Sequence, residues 1–400
     1  MILGRREGKN MKDINATVII TPRCNLKCAY CINGSGSELV GCHENKKTTE
    51  WKNADELMNC LKKVAKARNL RFIKLFGGEP MLRMDLANEI IRRREEFSPK
   101  DELTKIAFTT NGYYKLTKEQ ALFWKNNQVI VNISLDGPRN LNNASRIAAD
   151  GNDVYNMVTK NIEVLKEVGC PFSIVSVLDE RILNFGHTIT SLADYISQYT
   201  DTYKIEPSYV ITEHERHNKN LSDKSNVSRL LELQKEYIDE VFKRIKELDV
   251  DNFIFENNIV RTISNLMYSS PKKYVCTAAE SMAIFPDKKA YACYNLMDSE
   301  YLISNNLDEI KAEELDEAFK RMRAKLVIDR FPQEYRDVEF YGDYCPLENN
   351  FESFAFVYRK EMVNRIRKHL EEIKPGSKYH LALMGYLSMG YGGTYYENYA

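Results

Sequence analysis

Two hydrophobic periods alternate along the first two-thirds of the chain. Short runs rich in β-branched and aromatic residues are each followed by a longer stretch with apolar residues three or four positions apart. The first period predicts strands at 16–21, 72–76, 105–109, 130–134, 172–177 and 205–210. The second predicts helices at 53–67, 84–96, 154–168, 189–199 and 229–248.

Strands that alternate with amphipathic helices indicate βαβ units and therefore a parallel sheet. Six such units with right-handed crossovers predict an α/β fold, a partial (β/α)6 barrel of the TIM type. In barrels of this kind the chemistry lies at the C-terminal ends of the strands. Residues that directly follow a predicted strand are therefore the first candidates for a site.

The pattern changes after about residue 270. Two short β-rich runs, 283–285 and 289–292, flank the turn sequence PDKK and predict a hairpin, and helices are predicted at 307–326 and 351–373. We therefore expect an N-terminal segment (1–15), the partial barrel (16–255), a small α+β domain (256–375) and a Tyr/Gly-rich tail (376–400). The strongly polar stretch 211–226 is expected to be a surface loop.

Composition narrows the possible partners and the compartment. The 57 basic and 57 acidic residues cancel, so no net charge draws the chain to nucleic acid or to an anionic membrane. No apolar run is long enough to span a bilayer, and the first residues lack the apolar core of a secretory signal. Nine cysteines without such a signal predict a reducing, cytoplasmic environment, where clustered cysteines are metal ligands more often than disulfides.

One short loop carries three of these cysteines. Cys24, Cys28 and Cys31 form a C-x3-C-x2-C spacing directly after the first predicted strand. Three thiolates on one loop can hold three irons of a cubane cluster and leave the fourth iron open to a ligand. Zinc is the alternative for a C-x2-C pair, but the chain offers no second pair.

The sequence CNLKCAYC resembles the signature of the radical S-adenosylmethionine (radical SAM) enzymes, including the aromatic Tyr30 before the third cysteine. The second predicted strand ends in GGEP at 77–80, the third in TTNG at 109–112 and the fourth in SLDG at 134–137. All of these motifs fall at predicted strand C-termini, on one face of the barrel. The resemblance covers roughly residues 13–209.

This resemblance implies a [4Fe–4S] cluster on the three cysteines, whose open iron chelates S-adenosylmethionine (AdoMet). An electron from a reductant such as flavodoxin or ferredoxin would then cleave AdoMet to a 5′-deoxyadenosyl radical. The resemblance also implies the residues that surround AdoMet: Gly77, Gly78, Glu79, Pro80, Asn111, Ser134, Arg146, Tyr30 and Ser176. Among these, the glycine carbonyls or Glu79 are expected to face the ammonium group, Ser134 and Arg146 the carboxylate, and Asn111 and Ser176 the ribose.

A second cysteine set lies beyond the predicted barrel. Cys276 and Cys293 bracket the predicted hairpin and resemble the opening of the SPASM or twitch extension of many radical SAM enzymes. Together with Cys345 they are expected to hold one auxiliary iron–sulfur cluster, with Glu348 or a substrate group on its fourth iron. Buried free thiols are the alternative. Cys60 and Cys170 are interpreted as structural, and Cys42 as structural or as an alternative ligand.

The resemblance to enzymes with such an extension implies a maturase for a ribosomally synthesised precursor peptide. The expected product is a thioether or carbon–carbon crosslink, an epimer or an oxidised residue, and no catalytic acid or base can be assigned. Formylglycine formation, as in anaerobic sulfatase maturases, and oxidation of a small molecule by a twitch-type dehydrogenase are the alternative reactions. A non-enzymatic metal-binding sensor would hold iron or zinc without cleaving AdoMet.

Overall fold

The structure is a computed structural model that describes residues 12–31, 49–207, 224–268, 274, 276–331 and 354–393. Its centre is one sheet with the strand order β6-β5-β4-β3-β2-β1-β7-β8-β9. The strands are β1 (Asp13–Thr21), β2 (Asn69–Gly77), β3 (Lys105–Thr110), β4 (Ile130–Ser134), β5 (Phe172–Leu178), β6 (Tyr203–Pro207), β7 (Ser281–Ile284), β8 (Ala290–Tyr291) and β9 (Leu302–Ser304).

The first six strands are parallel to one another, and each is joined to the next through helical segments. Because β6 and β9 are the two ends of the strand order, the sheet does not close. The partial parallel barrel expected from the sequence is thereby confirmed. All six predicted strands are present, and β4 has the predicted bounds.

Helices surround the sheet. They are α1 (Ala54–Ala67), α2 (Met84–Arg92), α3 (Lys118–Asn126), α4 (Arg139–Ser145), α5 (Val154–Val168), α6 (Arg181–Asn184), α7 (Ile189–Ser197), α8 (Lys224–Glu247), α9 (Asn257–Tyr268), α10 (Ala312–Leu326), α11 (Phe354–Glu371) and α12 (Lys378–Gly393). The α5 helix has the predicted bounds because Asp153 caps its N-terminus and Gly169, with a φ of 64°, ends it.

The two faces of the barrel strands differ in exposure. The outward residues, such as Val18, Leu75 and Ile174, are fully buried in the two large apolar clusters beneath the helices. Many of the inward residues, such as Lys74, Thr109 and Val175, remain half-buried. The interior of this barrel is therefore an accessible lumen rather than a packed core of the TIM-barrel kind.

The C-terminal segments pack on the barrel and extend its sheet. The β7 strand pairs with β1 in parallel, and β8 and β9 follow in antiparallel order, so the predicted hairpin is present and gains a third strand. Residues 211–223 of the polar stretch expected to be a loop lie outside the described residues, and its last three residues begin α8 at Lys224. The expected tail contains α12, whose Tyr386 is buried and donates a hydrogen bond to the Ile254 carbonyl at 2.6 Å. No helix among the described residues is long and apolar enough to cross a membrane.

Candidate active site

The cysteine loop follows β1 and is held in place by the segment that follows α4. The amide of Lys27 donates to the Ile147 carbonyl at 2.7 Å, and the amide of Ala29 donates to the Ser145 carbonyl at 2.9 Å. These backbone bonds bring Arg146, which lies between the two acceptors, to the loop. The contact joins residues more than a hundred positions apart, so it exists only in the folded chain.

The three sulfur atoms lie in a crowded, largely buried environment. Cys28 is buried, whereas Cys24 and Cys31 are half-buried. Burial is the main reason that the pKa of Cys24 is raised to about 11 and that of Cys28 to about 12, and the charges of the neighbouring cysteines act in the same direction. The guanidinium of Arg146 opposes this effect at Cys28. Thiolates in such a place require nearby positive charge, which bound iron supplies.

The GGEP turn contacts the cysteine loop through its backbone. The Gly78 amide donates to the Thr21 carbonyl at 2.9 Å, and the Glu79 amide donates to the Arg23 carbonyl at 2.7 Å. A Cβ atom on Gly77 would lie 2.2 Å from the Thr21 oxygen, and one on Gly78 would lie 2.1 Å from the Arg23 oxygen. The two glycines are therefore needed for close approach to the loop that carries the cysteines. Pro80 begins the short 3-10 helix that follows.

The Glu79 carboxylate accepts three hydrogen bonds from other residues in the described part of the chain. It accepts hydrogen bonds from the Thr110 hydroxyl at 2.7 Å, the Asn111 amide at 2.6 Å and the Met81 amide at 2.9 Å. Burial raises its pKa to about 7, against the effect of these three donors. Glu79 thus joins the ends of β2 and β3. Its predicted contact with an AdoMet ammonium stays a prediction.

Asn111 contacts the cysteine loop directly. Its side-chain amide donates to the Asn25 side-chain oxygen at 2.8 Å and lies 3.6 Å from the Cys24 sulfur. Its side-chain oxygen accepts from the Tyr113 amide at 2.8 Å. Donors to a cysteine sulfur tune the potential of an iron–sulfur cluster, and Asn111 would act in this way on a cluster bound by Cys24. Its predicted contact with the AdoMet ribose stays a prediction.

Asp136, which follows β4, is the centre of a buried charged group. Arg146 donates to it at 3.0 Å, Tyr30 donates its hydroxyl to the second carboxylate oxygen, and the Val177 amide donates at 3.0 Å. Burial, the largest single cause, acts to lower the pKa of Arg146, but the charges of Asp136, Tyr30 and Cys28 and the hydrogen bond to Asp136 together outweigh it, so the pKa is raised. The ring of Tyr30 lies 5.4 Å from the Arg146 guanidinium and 5.2 Å from that of Arg181.

The predicted AdoMet residues Ser134 and Ser176 lie on opposite faces of the sheet. Ser134 alternates with the outward Ile133 and faces the lumen. Ser176 shares its face with the outward Ile174, is fully buried, and donates its hydroxyl to the Asp136 carbonyl at 3.3 Å. The predicted ribose contact of Ser176 stays a prediction, and the outward position favours a supporting role under Asp136 instead.

Sequence reasoning assigned no role to Asp136 or Arg181. Asp136 lies within the SLDG motif, and its position directly after a strand was the available signal. Arg181 follows β5 and binds the Asp179 carboxylate at 3.0 Å. Its side chain meets Tyr30 only through the curvature of the sheet, for which the sequence holds no local signal.

The two described members of the second cysteine set flank the hairpin, since Cys276 precedes β7 and Cys293 follows β8. Cys276 accepts a hydrogen bond from the Ala278 amide at 3.4 Å, and Cys293 accepts one from the Asn295 amide at 3.5 Å. Both side chains are half-buried against the first apolar cluster. Their proposed partners Cys345 and Glu348 lie outside the described residues, as does Cys42. Cys60 and Cys170 are buried among apolar side chains, as a structural role requires.

The donor set of the first loop fits an iron–sulfur cluster. Within the described ranges, no three His, Cys, Asp or Glu side chains are arranged around the position of a single metal ion. A cubane instead places each thiolate on a different iron. In addition, the Nε atom of Arg146 is buried without a hydrogen-bond partner in the part of the chain that the structure describes, so a carboxylate could bind there.

Sequence comparisons find known relatives for most of the first half of the chain. Residues 18–194 match the model of the radical SAM superfamily. The chain is 34% identical over 169 residues to a probable GTP 3′,8-cyclase of Methanococcus maripaludis, a match covering 41% of this chain and 48% of that protein. It is 27% identical over 157 residues to a cysteine-type anaerobic sulfatase-maturating enzyme of Clostridium perfringens, covering 39% and 41%. The chain thus spans less than half the length of these curated relatives.

Structural similarity extends further along the chain. The structure of native anSMEcpe with bound AdoMet superposes with a TM-score of 0.70 at 16% identity, over 94% of this chain and 99% of that one. The same protein with AdoMet and a Cp18Cys peptide gives a TM-score of 0.69 at 16% identity, over the same shares of both chains. At this level of identity the similarity establishes the fold. Residues 18–194 are therefore a radical SAM domain, in a chain that shares the fold of anSMEcpe over nearly its whole length.

Proposed function

We propose that this protein is a radical SAM maturase that modifies a peptide. The observation that carries the proposal is the extent of the shared fold, which includes the segments after the barrel and not only the radical SAM domain. The related structure binds a peptide together with AdoMet. The accessible lumen, with the cysteine loop at the C-terminal ends of its strands, offers space for an extended substrate.

Cys24, Cys28 and Cys31 would hold the cluster, and the surrounding motifs would position AdoMet. With a reductant, the cluster supplies the electron that converts AdoMet to methionine and a 5′-deoxyadenosyl radical, which takes a hydrogen atom from the substrate. The Arg146 guanidinium would bind the AdoMet carboxylate through its free Nε while Asp136 holds its other end. Ser134 would complete the carboxylate contact from the lumen face of β4.

The segment after the barrel, which contains Cys276, Cys293 and Cys345, would bind the peptide substrate. Cys276 and Cys293, with Cys345, would hold an auxiliary cluster that binds the substrate or accepts its second electron. Cys293 precedes Tyr294, whose ring packs on lumen residue Phe76 with a centroid distance of 4.7 Å. Substrate held from this side would face the AdoMet end of the barrel.

Cyclisation of a nucleotide is the second candidate. The identity to GTP 3′,8-cyclases over the radical SAM domain favours it. That match covers only 41% of this chain, whereas the anSMEcpe fold accounts for 94%. Formylglycine formation remains one of the peptide reactions, supported by the similarity to the sulfatase-maturating enzyme.

The test begins with anaerobic reconstitution of the full chain, a count of bound iron, and detection of 5′-deoxyadenosine after reduction with AdoMet. We expect product from the wild type and from Cys170→Ala, whose buried thiol lies away from the loop, and none from Cys28→Ala. Product from Cys28→Ala would contradict the radical proposal.

The substrate is then tested by adding either a cysteine-containing peptide encoded beside the gene or GTP. A peptide maturase changes the mass of the peptide and leaves GTP unchanged. Consumption of GTP with an unchanged peptide would replace the first candidate with the second.

A further inference from the structure

Two asparagine side chains lock the cysteine loop to the segment that follows β3. The Asn25 side-chain oxygen accepts a hydrogen bond from the Asn111 side-chain amide at 2.8 Å, and the Asn25 side-chain amide donates to the Tyr113 carbonyl at 2.6 Å. The Tyr113 amide in turn donates to the Asn111 side-chain oxygen at 2.8 Å. These three hydrogen bonds form a closed ring between residues that lie 86 and 88 positions apart in the chain.

The ring fixes the orientation of both side-chain amides. The oxygen and the nitrogen of such an amide are alike in shape, so only their hydrogen-bond partners distinguish the two orientations. The Tyr113 backbone supplies one group that only donates and one that only accepts. The first must face the Asn111 oxygen, and the second must face the Asn25 nitrogen. Turning either amide over would place like groups against each other at two of the three contacts, which is costly.

This fixed orientation directs Asn111 at a sulfur atom of the cysteine loop. With its oxygen bound to the Tyr113 amide, Asn111 presents its side-chain nitrogen to Cys24, 3.6 Å from the sulfur. One hydrogen of this NH2 group is used in the bond to Asn25, and the second is left for the sulfur. The Leu26 amide donates to the same sulfur at 3.4 Å. Cys24 thus accepts from two N–H groups, and the one from Asn111 depends on side-chain orientation.

A third segment holds the ring from outside. The Ala149 amide donates to the Asn25 carbonyl at 3.0 Å, and the Tyr113 hydroxyl lies 2.7 Å from both carboxylate oxygens of Asp150. Asp150 also accepts from the Asn152 amide at 3.0 Å. Consecutive residues of one segment therefore anchor both sides of the ring. The position of the Asn25 amide is set by this contact as well as by its own loop.

We infer that Asn25 is a positioning residue for the cluster: through Asn111 it directs an N–H group at the Cys24 sulfur and so raises the reduction potential of the cluster. Reduction adds negative charge that the sulfur ligands share, so an N–H donor stabilises the reduced form more than the oxidised form. The inference goes beyond the proposed function, because both candidate reactions need this cluster and neither substrate enters the argument.

The test is a redox titration of the reconstituted full chain without AdoMet, followed by electron paramagnetic resonance. The signal that changes when AdoMet is added afterwards belongs to the cluster of the first loop, which separates it from an auxiliary cluster. The variants are Asn25→Ala, Asn111→Ala and the double variant. Asn88→Ala is the matched control, because Asn88 forms a reciprocal amide pair with Gln120 at 3.1 and 3.2 Å between the helices α2 and α3.

We expect Asn111→Ala to lower the equilibrium constant for one-electron reduction about tenfold, which is about 59 mV in midpoint potential. Asn25→Ala should lower the same constant about threefold or more, because the Asn111 amide then loses its fixed orientation. The double variant should have the potential of Asn111→Ala alone, since Asn25 acts through Asn111. Asn88→Ala should leave the potential unchanged. The titration reports only chains that hold the cluster, so partial loss of iron does not alter the result.

Three results overturn the inference: an unchanged potential in Asn25→Ala, a double variant whose shift is the sum of the two single shifts, or a shift in Asn88→Ala as large as that in Asn25→Ala. If Asn25→Ala holds no cluster, Asn25→Ser is titrated in its place against the same three results. The titration needs neither substrate nor AdoMet cleavage. A failure here is therefore distinguishable from a failure to produce 5′-deoxyadenosine or to modify a peptide, which would contradict the proposed function itself.

Discussion

Asp136 and Arg146 form a buried ion pair, with 3.0 Å between Oδ1 and Nη2 and no more than 6% of either side chain exposed. Asp136 follows β4 by two residues, and Arg146 lies in the segment that holds the cysteine loop. The pair therefore links the barrel to the loop. Its removal is expected to affect both stability and the site.

Asp136→Asn should lower the free energy of unfolding by about 3 kcal/mol, because it leaves the Arg146 guanidinium buried without its counter-charge. Urea denaturation followed by circular dichroism measures the change. Asp85→Asn is the matched control: Asp85 pairs with Arg83 at 2.9 Å, but its side chain is 63% exposed. We expect the control to change stability by less than about 1 kcal/mol. Equal effects of the two substitutions would contradict the role of the buried pair.

Gly78→Ala should prevent the cysteine loop from taking its position, because the new Cβ would lie 2.1 Å from the Arg23 carbonyl oxygen. We expect less iron per chain after reconstitution and a weaker cluster absorbance. Gly385→Ala in α12 is the control, since no described atom lies within 4 Å of its added Cβ. Alanine there should stabilise the helix by up to about 1 kcal/mol. Full iron content in Gly78→Ala would show that the loop tolerates the displacement.

Glu256 makes the stability dependent on pH. It is buried at the start of α9 and accepts hydrogen bonds from the Ile205 and Ile259 amides, both at 3.0 Å. Burial raises its pKa from 4.5 to about 7, so the folded state holds the proton more tightly than the unfolded state. The resulting stability is present below pH 4.5 and is lost as the pH rises through 7. Relative to Glu256→Gln, the wild type should lose about 3 kcal/mol over that range.

The control for this pH dependence is Glu240→Gln. Hydrogen bonding to Arg244 lowers the pKa of Glu240, so the wild type should gain stability relative to this variant as the pH rises through the acid range. Chemical denaturation at several pH values measures both differences. The same sign for the two variants would refute the assignment to Glu256.

Tyr386→Phe tests the packing of α12. The substitution leaves the Ile254 carbonyl without its buried donor at 2.6 Å and should cost about 1–2 kcal/mol in thermal unfolding. Tyr268→Phe is the control, because the Tyr268 side chain is exposed and its hydroxyl contacts only the sulfur of Met384 at 2.8 Å among the described residues. A loss no larger than that of the control would mean that the buried hydrogen bond adds nothing to stability.

The sequence by itself determined the local features of this protein. The spacing of Cys24, Cys28 and Cys31, the six strands and the glycine pair at 77–78 could all be interpreted, because each depends on neighbours within a few positions. Period-two alternation along β5 also places Ser176 on the same face as Ile174. The sequence pattern did not predict the helices α3, α4, α6, α9 and α12, since none combines a long apolar period with clear end signals.

Only the tertiary structure decided what surrounds the site. The ion pair of Asp136 with Arg146, the approach of Asn111 to Cys24 and the packing of Tyr294 on Phe76 join segments far apart in the chain. Such contacts depend on strand register and on the curvature of the sheet, which the packing of the whole barrel sets. The sequence therefore specifies the residues that carry the chemistry, whereas the barrel decides which of them share the lumen.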